Sequence, residues 1–348
     1  MPSKKPKRGS LPPEDENHMQ QSFLTKVINI FHFILFVCYG LLSTACSALK
    51  GYWRIIQPQK KKDISQEIIL VTGGGRGLGR RLALEFAKHS PKQIILWGRH
   101  LESLSQTCAD VCALGVPCVY MQCDVSNKEN IDQQASICQE RYGPVSILVN
   151  NAGVMYGGKV LELAVEDIEM SFKVNVLAHF RTIRSFLPSM QERGHGHIVT
   201  IGSCLGLMGI NQTSAYASSK HALTAFSESL SYIAESSGYS GVKTTMVYPF
   251  QIDNEMFAGC ISRFPKIFPL INEEYVAKKT VEATLTNTFS LIIPQHLTAI
   301  FWMKTIIPVE VTSLVSDFFG ITSAMQTYKG NEKQCASNNG QEKKKTKY

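Results

Sequence analysis

Tyr216 and Lys220 stand four positions apart in the stretch 212–233, which holds few helix breakers. Both therefore project from one helix face. A tyrosine hydroxyl titrates near ~10 and is protonated at neutral pH, while an ammonium beside it favours the phenolate and lowers that value. Such a phenol can give a proton to a carbonyl oxygen as hydride reaches the carbon, or take one back in reverse. Ser203 lies 13 residues upstream of Tyr216, just past a β-branched run. Its hydroxyl can hold the same oxygen and stabilise charge developing on it. A Tyr-x3-Lys pair alone is ordinary helix surface, so its weight depends on its company.

That company begins with a phosphate cradle. The β-branched run 67–72 ends in Gly73-Gly74-Gly75-Arg76-Gly77-Leu78-Gly79, and Leu82, Leu84, Phe86 and Ala87 come after it at helical intervals. Strand, glycine turn and helix together are the context of a dinucleotide site: glycines admit the pyrophosphate, and the helix N-terminus favours its charge. The spacing, Thr72-Gly73-x3-Gly77-x-Gly79, departs from the common GxGxxG fingerprint. Further strand-like runs occur at 93–97, 118–122, 145–149, 197–201, 242–247 and 291–293, with helical stretches between. This alternation predicts an α/β fold, a doubly wound parallel sheet covered on both faces by helices.

The chain has 348 residues, 44% hydrophobic and 18% charged, which excludes a disordered chain and supplies material for a core. Its net charge of +8 belongs to the flanks. Residues 1–63 hold ten Lys/Arg against four Asp/Glu, and residues 329–348 hold six against two. The middle is mildly acidic, which argues against a nucleic-acid partner. Ten scattered cysteines form no CxxC pair, and no His cluster has zinc-ligand spacing, so no metal is expected and reduced thiols facing the cytosol are.

The ends divide further. Residues 1–26 read as a polar leader, and 27–49 as a transmembrane or membrane-anchor helix without an Asp, Glu, Lys or Arg. Residues 50–63 read as a basic linker, 64–328 as the globular domain and 329–348 as a basic disordered tail. A cleaved signal peptide would have a shorter apolar region and no such leader. Lys50, Arg54, Lys60, Lys61 and Lys62 lie closely after the apolar run, and only Lys26 lies immediately before it. The positive-inside rule then places the domain in the cytosol. Asn211-Gln212-Thr213 is a glycosylation sequon that would matter only on the luminal side. The final lysines, Lys343 to Lys347, are out of register with a dilysine retrieval signal. Segment 297–307, with Phe301, Trp302 and Met303, is too short to span and reads as an interfacial, membrane-contacting helix.

Residues 66–293 resemble the classical short-chain dehydrogenases/reductases through four ordered motifs: the glycine turn, Asn150-Asn151-Ala152-Gly153, Ser203, and Tyr216-x3-Lys220. The resemblance implies one Rossmann-type domain in which Ser203, Tyr216 and Lys220 are catalytic and Asn175 holds a water of a proton relay. It implies a nicotinamide cofactor on Gly73, Gly77 and Gly79, with Asp124 at the adenine, Asn151 supporting the adenosine side, and Tyr216 and Lys220 at the nicotinamide ribose. An acidic residue after the second strand would select NAD, but this chain reads Trp97-Gly98-Arg99-His100. Arg99, with Arg76, suits a 2′-phosphate and so NADP(H). Where the family has Pro-Gly and then a threonine, this chain has Pro249-Phe250 and then Asn254, which can still bond a carboxamide. Met256, Phe257, Phe264, Pro265, Ile267, Phe268, Pro269 and Leu270 would line a long apolar substrate. His195 and His197 read as loop and strand-edge residues.

With the hydrophobic N-terminus, the segment Glu255-Met256-Phe257 through Arg263-Phe264-Pro265 narrows the resemblance to the membrane-bound retinol dehydrogenase and retinaldehyde reductase branch, with lipid-droplet hydroxysteroid dehydrogenases as neighbours. That likeness implies an NADP(H)-dependent oxidoreductase at the endoplasmic reticulum membrane or lipid droplets. It would interconvert a lipophilic carbonyl and alcohol, all-trans-retinal and all-trans-retinol first. Its partners would be the retinoid or steroid substrate and membrane lipid, and a homo-oligomer is left open. The alternatives are a dehydrogenase of steroids or other lipid alcohols, and a catalytically idle membrane scaffold.

Overall fold

In the computed structural model, residues 14–56, 59–236 and 241–329 are described. The chain divides into two units, Met1–Lys60 and Lys61–Tyr348. The first is helix α1 (Glu14–Ile56), which carries the 24-residue apolar window Phe23–Cys46, none of it buried. At 1.5 Å per residue that window is about 36 Å long, sufficient for a hydrocarbon core of about 30 Å. The helix therefore starts inside the expected leader and ends inside the expected linker. The first 13 residues and the tail from 330 lie outside the described residues.

The second unit is built on seven strands: β1 (Ile68–Thr72), β2 (Gln93–Gly98), β3 (Cys118–Gln122), β4 (Ile147–Asn150), β5 (Gly196–Ile201), β6 (Val242–Pro249) and β7 (Ser290–Ile293). They form one sheet in the order β3-β2-β1-β4-β5-β6-β7, every pairing parallel. Parallel neighbours need long crossovers, and the intervening helices supply them. These are α2 (Gly77–Ala87), α3 (Leu101–Ala113), α4 (Lys128–Tyr142), α5 (Val165–Phe172), α6 (Ala178–Glu192), α7 (Ser214–Ser236) and α8 (Glu273–Leu285). Two short helices come last, α9 (Leu297–Lys304) and α10 (Val309–Phe318).

Strand alternation assigns the two cores. Ile69, Val71, Ile94 and Leu96 pack with Leu82 and Phe86 of α2 and Val276 of α8. Ile68, Leu70, Ile95 and Trp97 point the other way, onto Ile131 of α4 and Phe186 of α6. β1 and β2 are apolar on both faces because both faces are covered. Their C-terminal ends reach one edge of the sheet beside the strand-order reversal between β1 and β4, the crevice where ligands of such sheets bind.

At the opposite edge, Lys62 Nζ meets His197 Nδ1 at 2.7 Å, and His197 Nε2 meets Thr245 Oγ1 at 2.8 Å. Burial holds His197 neutral, well below its usual range. His195 pairs with Glu67 at 2.8 Å. Both imidazoles lie at the start of β5, away from the glycine turn. The nine described cysteines are free thiols, and no metal-ligating cluster occurs among the described residues.

Candidate active site and dinucleotide cleft

The glycine turn between β1 and α2 depends on missing side chains. Gly73 and Gly77 have φ of +66° and +55°, and a Cβ on Gly79 would overlap the Gly73 carbonyl. Asn151, at the end of β4, donates Nδ2 to Thr72 O at 3.0 Å, and its N–H bonds Thr72 Oγ1 at the same distance. Its side chain thus pins the turn from below. Arg76 caps α2 without a side-chain hydrogen bond, and no acidic residue stands in that helix's first turn. The N-terminal N–H groups remain suited to an anion, so the cradle fits a dinucleotide.

The other cofactor candidates sit at neighbouring strand ends. Arg99 comes directly after β2 and is exposed, with no carboxylate beside it in sequence until Glu102. Arg76 is exposed too and makes only a loose 3.8 Å pair with Glu255. Asp124, after β3, accepts from Ser126 N at 2.9 Å and Ser126 Oγ at 2.8 Å, which fixes its carboxylate. Asn254 donates Nδ2 to Glu273 Oε1 at 3.0 Å, and its Oδ1 is buried without a hydrogen-bond partner. That orphan acceptor is matched to an amide donor such as a carboxamide.

The catalytic candidates converge. Ser203 lies just past β5, and its Oγ accepts from Leu205 N at 3.1 Å. Lys220, one turn along α7, has Nζ 5.7 Å from the Tyr216 ring centroid and donates to Ile201 O at 2.9 Å. Asn175 lies in a π-helical turn, Lys173–Leu177, between α5 and α6. Its Oδ1 accepts from Val154 N at 2.9 Å, and Nδ2 donates to Val154 O at 2.9 Å and to Ser219 Oγ at 3.0 Å. The Asn150–Gly153 turn separates it from the lysine: a Cβ on Gly153 would stand 3.4 Å from Asn175 Oδ1 and 3.9 Å from Lys220 Nζ.

One electrostatic expectation is corrected. Tyr216 is 3% exposed, and burial drives its phenol well above the ordinary value, with the Ser203 hydrogen bond opposing only in part. Lys220 does not offset this in the chain by itself. Burial lowers its own ammonium to about 8, and that ammonium points its hydrogen bond at a backbone carbonyl. The phenol is therefore held as a proton donor.

Ser203 also lines a cleft with mostly apolar walls. Phe257 and Phe268 belong to its wall, as the sequence suggested, and Met256 packs against the cluster around Tyr216. Phe264 stacks on Phe318 and meets Phe319 edge to face. Ile267 and Leu270 are exposed, 39% and 48%, and Pro265 and Pro269 do not line the cleft, so these four depart from the expected lining. Sequence reading missed Leu205, Met208, Ile210 and the C-terminal residues Phe319, Ile321, Ala324 and Met325, which complete it. Their signal was only scattered apolar residues in two stretches without a motif.

Comparison with known proteins gives a consistent result. The short chain dehydrogenase family matches residues 67–262. Human short-chain dehydrogenase/reductase 3 is 39% identical over 276 residues, covering 79% of this chain and 91% of that relative. Human epidermal retinol dehydrogenase 2 is 36% identical over 301 residues, covering 86% of this chain and 96% of that relative. A solved short-chain dehydrogenase/reductase from Burkholderia phymatum in complex with NAD superposes with a TM-score of 0.63 at 24% identity, covering 69% of this chain and 93% of that one.

Proposed function

The chain belongs to the short-chain dehydrogenase family, and we propose that it uses NADP(H) to interconvert a lipophilic carbonyl and its alcohol, reducing all-trans-retinal to all-trans-retinol. The carrying observation is the buried Ser203–Tyr216–Lys220 cluster, whose Ser203 lines an apolar cleft. The retinoid assignment is supported by the similarity to a protein named epidermal retinol dehydrogenase and by that aromatic and aliphatic lining. The NADP(H) assignment is supported by Arg76 and Arg99 and by the missing acid after β2.

A nicotinamide held in the cleft would supply or accept the hydride. The chain's own residues handle the oxygen. Ser203 orients the carbonyl and Tyr216 donates a proton to it, for which a phenol held protonated by burial is suited. Lys220 then stabilises the phenolate electrostatically once the proton has left. Asn175 supports the backbone beside Lys220 and takes part in proton return. Gly73, Gly77, Gly79 and Asn151 hold the pyrophosphate turn, Asp124 the adenine end, and Asn254 the carboxamide. The window Phe23–Cys46 anchors the protein in the endoplasmic reticulum or lipid-droplet membrane with the catalytic unit cytosolic. Trp302 and Met303 of α9, 70% and 55% exposed, add a membrane contact.

Full-length protein in microsomes, assayed with all-trans-retinal, tests the reading. NADPH is expected to outperform NADH. Arg99→Glu should raise the KM for NADPH at least about tenfold while leaving NADH use little changed. Tyr216→Phe should lower kcat by about 10²–10⁴. Retinal turnover that survives Tyr216→Phe would refute the chemistry, and NADH preference in the wild type would refute the cofactor assignment.

A further inference from the structure

Beyond α10 the chain turns back over the cleft. Ile261 N donates to Ala324 O at 3.2 Å and Lys329 N to Ala258 O at 2.9 Å, tying residues 319–328 to the loop after β6. On the other side, the Tyr328 hydroxyl donates to Met155 O at 3.2 Å, beyond β4. Gly157 makes room for this second attachment, since a Cβ there would stand 2.8 Å from the Tyr328 ring. Between the two ties, Met325 is 3% exposed and packs in one apolar cluster with Met155, Tyr216 and Cys260. Phe319, Ile321, Ala324 and Met325 all face the cleft. None of them falls within the 67–262 family match.

We propose that residues 319–328 are the specificity-determining roof of the cleft, in which Ile321 and Ala324 set the bulk and length of apolar substrate admitted. The inference rests on the cleft being the lipid site proposed above. A segment fastened at both edges holds its side chains at fixed height over the substrate, so Gly320 and Ala324, the smallest residues of its lining, mark where a long hydrocarbon has most room. Met325 closes the catalytic end by packing in the cluster that leaves Tyr216 almost without solvent contact. Water exclusion there keeps the proton on the phenol for the substrate oxygen. The family-matched core would then supply the chemistry, and this later segment the choice of lipid.

The test uses the full chain in detergent micelles, with all-trans-retinol binding followed by its own fluorescence and all-trans-retinal turnover measured alongside. Ala324→Phe and Ile321→Trp each add bulk at a different point of the roof. Each is expected to weaken retinol binding at least about tenfold, by analogy with the steric discrimination of apolar pockets. NADPH binding should stay unchanged, which certifies the fold. Reduction of hexanal, small enough to fit beneath the added bulk, should fall less than that of retinal. A variant that still binds NADPH and also binds retinol as tightly as the wild type overturns the roof. A wild type that binds no retinol overturns it as well. If the wild type binds retinol, both variants lose it, and no retinal is turned over, the roof stands and the proposed redox function falls.

Discussion

At the scale of single residues, the site sets opposing demands on Lys220. Its ammonium is buried beside Tyr216, with its titration lowered from 10.5 to about 8. The penalised form is the charged one. The folded chain is therefore destabilised below pH 8, the penalty fades between 8 and 10.5, and above the unfolded value it vanishes. Lys220→Met keeps the volume and removes the charge but leaves Ile201 O without its donor. At pH 7 the variant should be inactive and more stable by on the order of 2 kcal/mol, with the gain shrinking toward pH 10.5. Thermal unfolding at the two pH values measures it, and a variant less stable at pH 7 would mean that the ammonium is fully compensated. Sequence alone did not show that burial would dominate the electrostatics of this residue. Tyr216 and Lys220 were readable because their four-residue spacing is local, whereas Tyr216 is buried among Met155, Cys260 and Met325, distant in the chain.

At the scale of elements, the strand–turn–helix unit was legible almost residue by residue. β1 and β2 are runs of branched side chains buried on both faces, and the glycines between β1 and α2 admit one backbone path. Gly79 tests that unit. Any Cβ there overlaps the Gly73 carbonyl and crowds Asn151 Nδ2 at 2.6 Å, so Gly79→Ala must push the turn away from β4. NADPH binding should weaken by at least about tenfold, read by the cofactor's fluorescence, because the turn's N–H groups would no longer converge. Unchanged affinity would show that the cofactor does not use this turn. Elements held by distant partners were less legible. Asn254 meets Glu273 across 19 positions, and the return of residues 319–328 is fixed by backbone bonds involving Ala258 and Ile261, the outside partners of the returning segment. Neither leaves a periodic pattern. α9 shows both regimes: its apolar run was visible, yet Leu297 and Phe301 face the core while Trp302 faces out.

At the scale of the whole molecule, the question is which side of a membrane the catalytic unit occupies. Five basic residues stand closely after the apolar window of α1, at 50, 54, 60, 61 and 62, and one, Lys26, precedes the uncharged run. By the positive-inside rule that bias would retain the downstream segment in the cytosol. The chain carries its own reporter, because Asn211 is exposed and begins the sequon completed by Thr213. A luminal domain would present Asn211 to the glycosylation machinery, while a cytosolic one never meets it. Synthesis of the full chain with microsomes should therefore give a product whose mobility is unaffected by endoglycosidase. Introducing a second sequon in the leader by Gly9→Asn with Leu11→Thr should give a product that endoglycosidase does shift, since a helix that spans once must put its two ends on opposite sides. Glycan on Asn211 would reverse the topology. Glycan on neither site would mean that α1 does not cross the bilayer, and the anchor would then have to lie along the membrane surface.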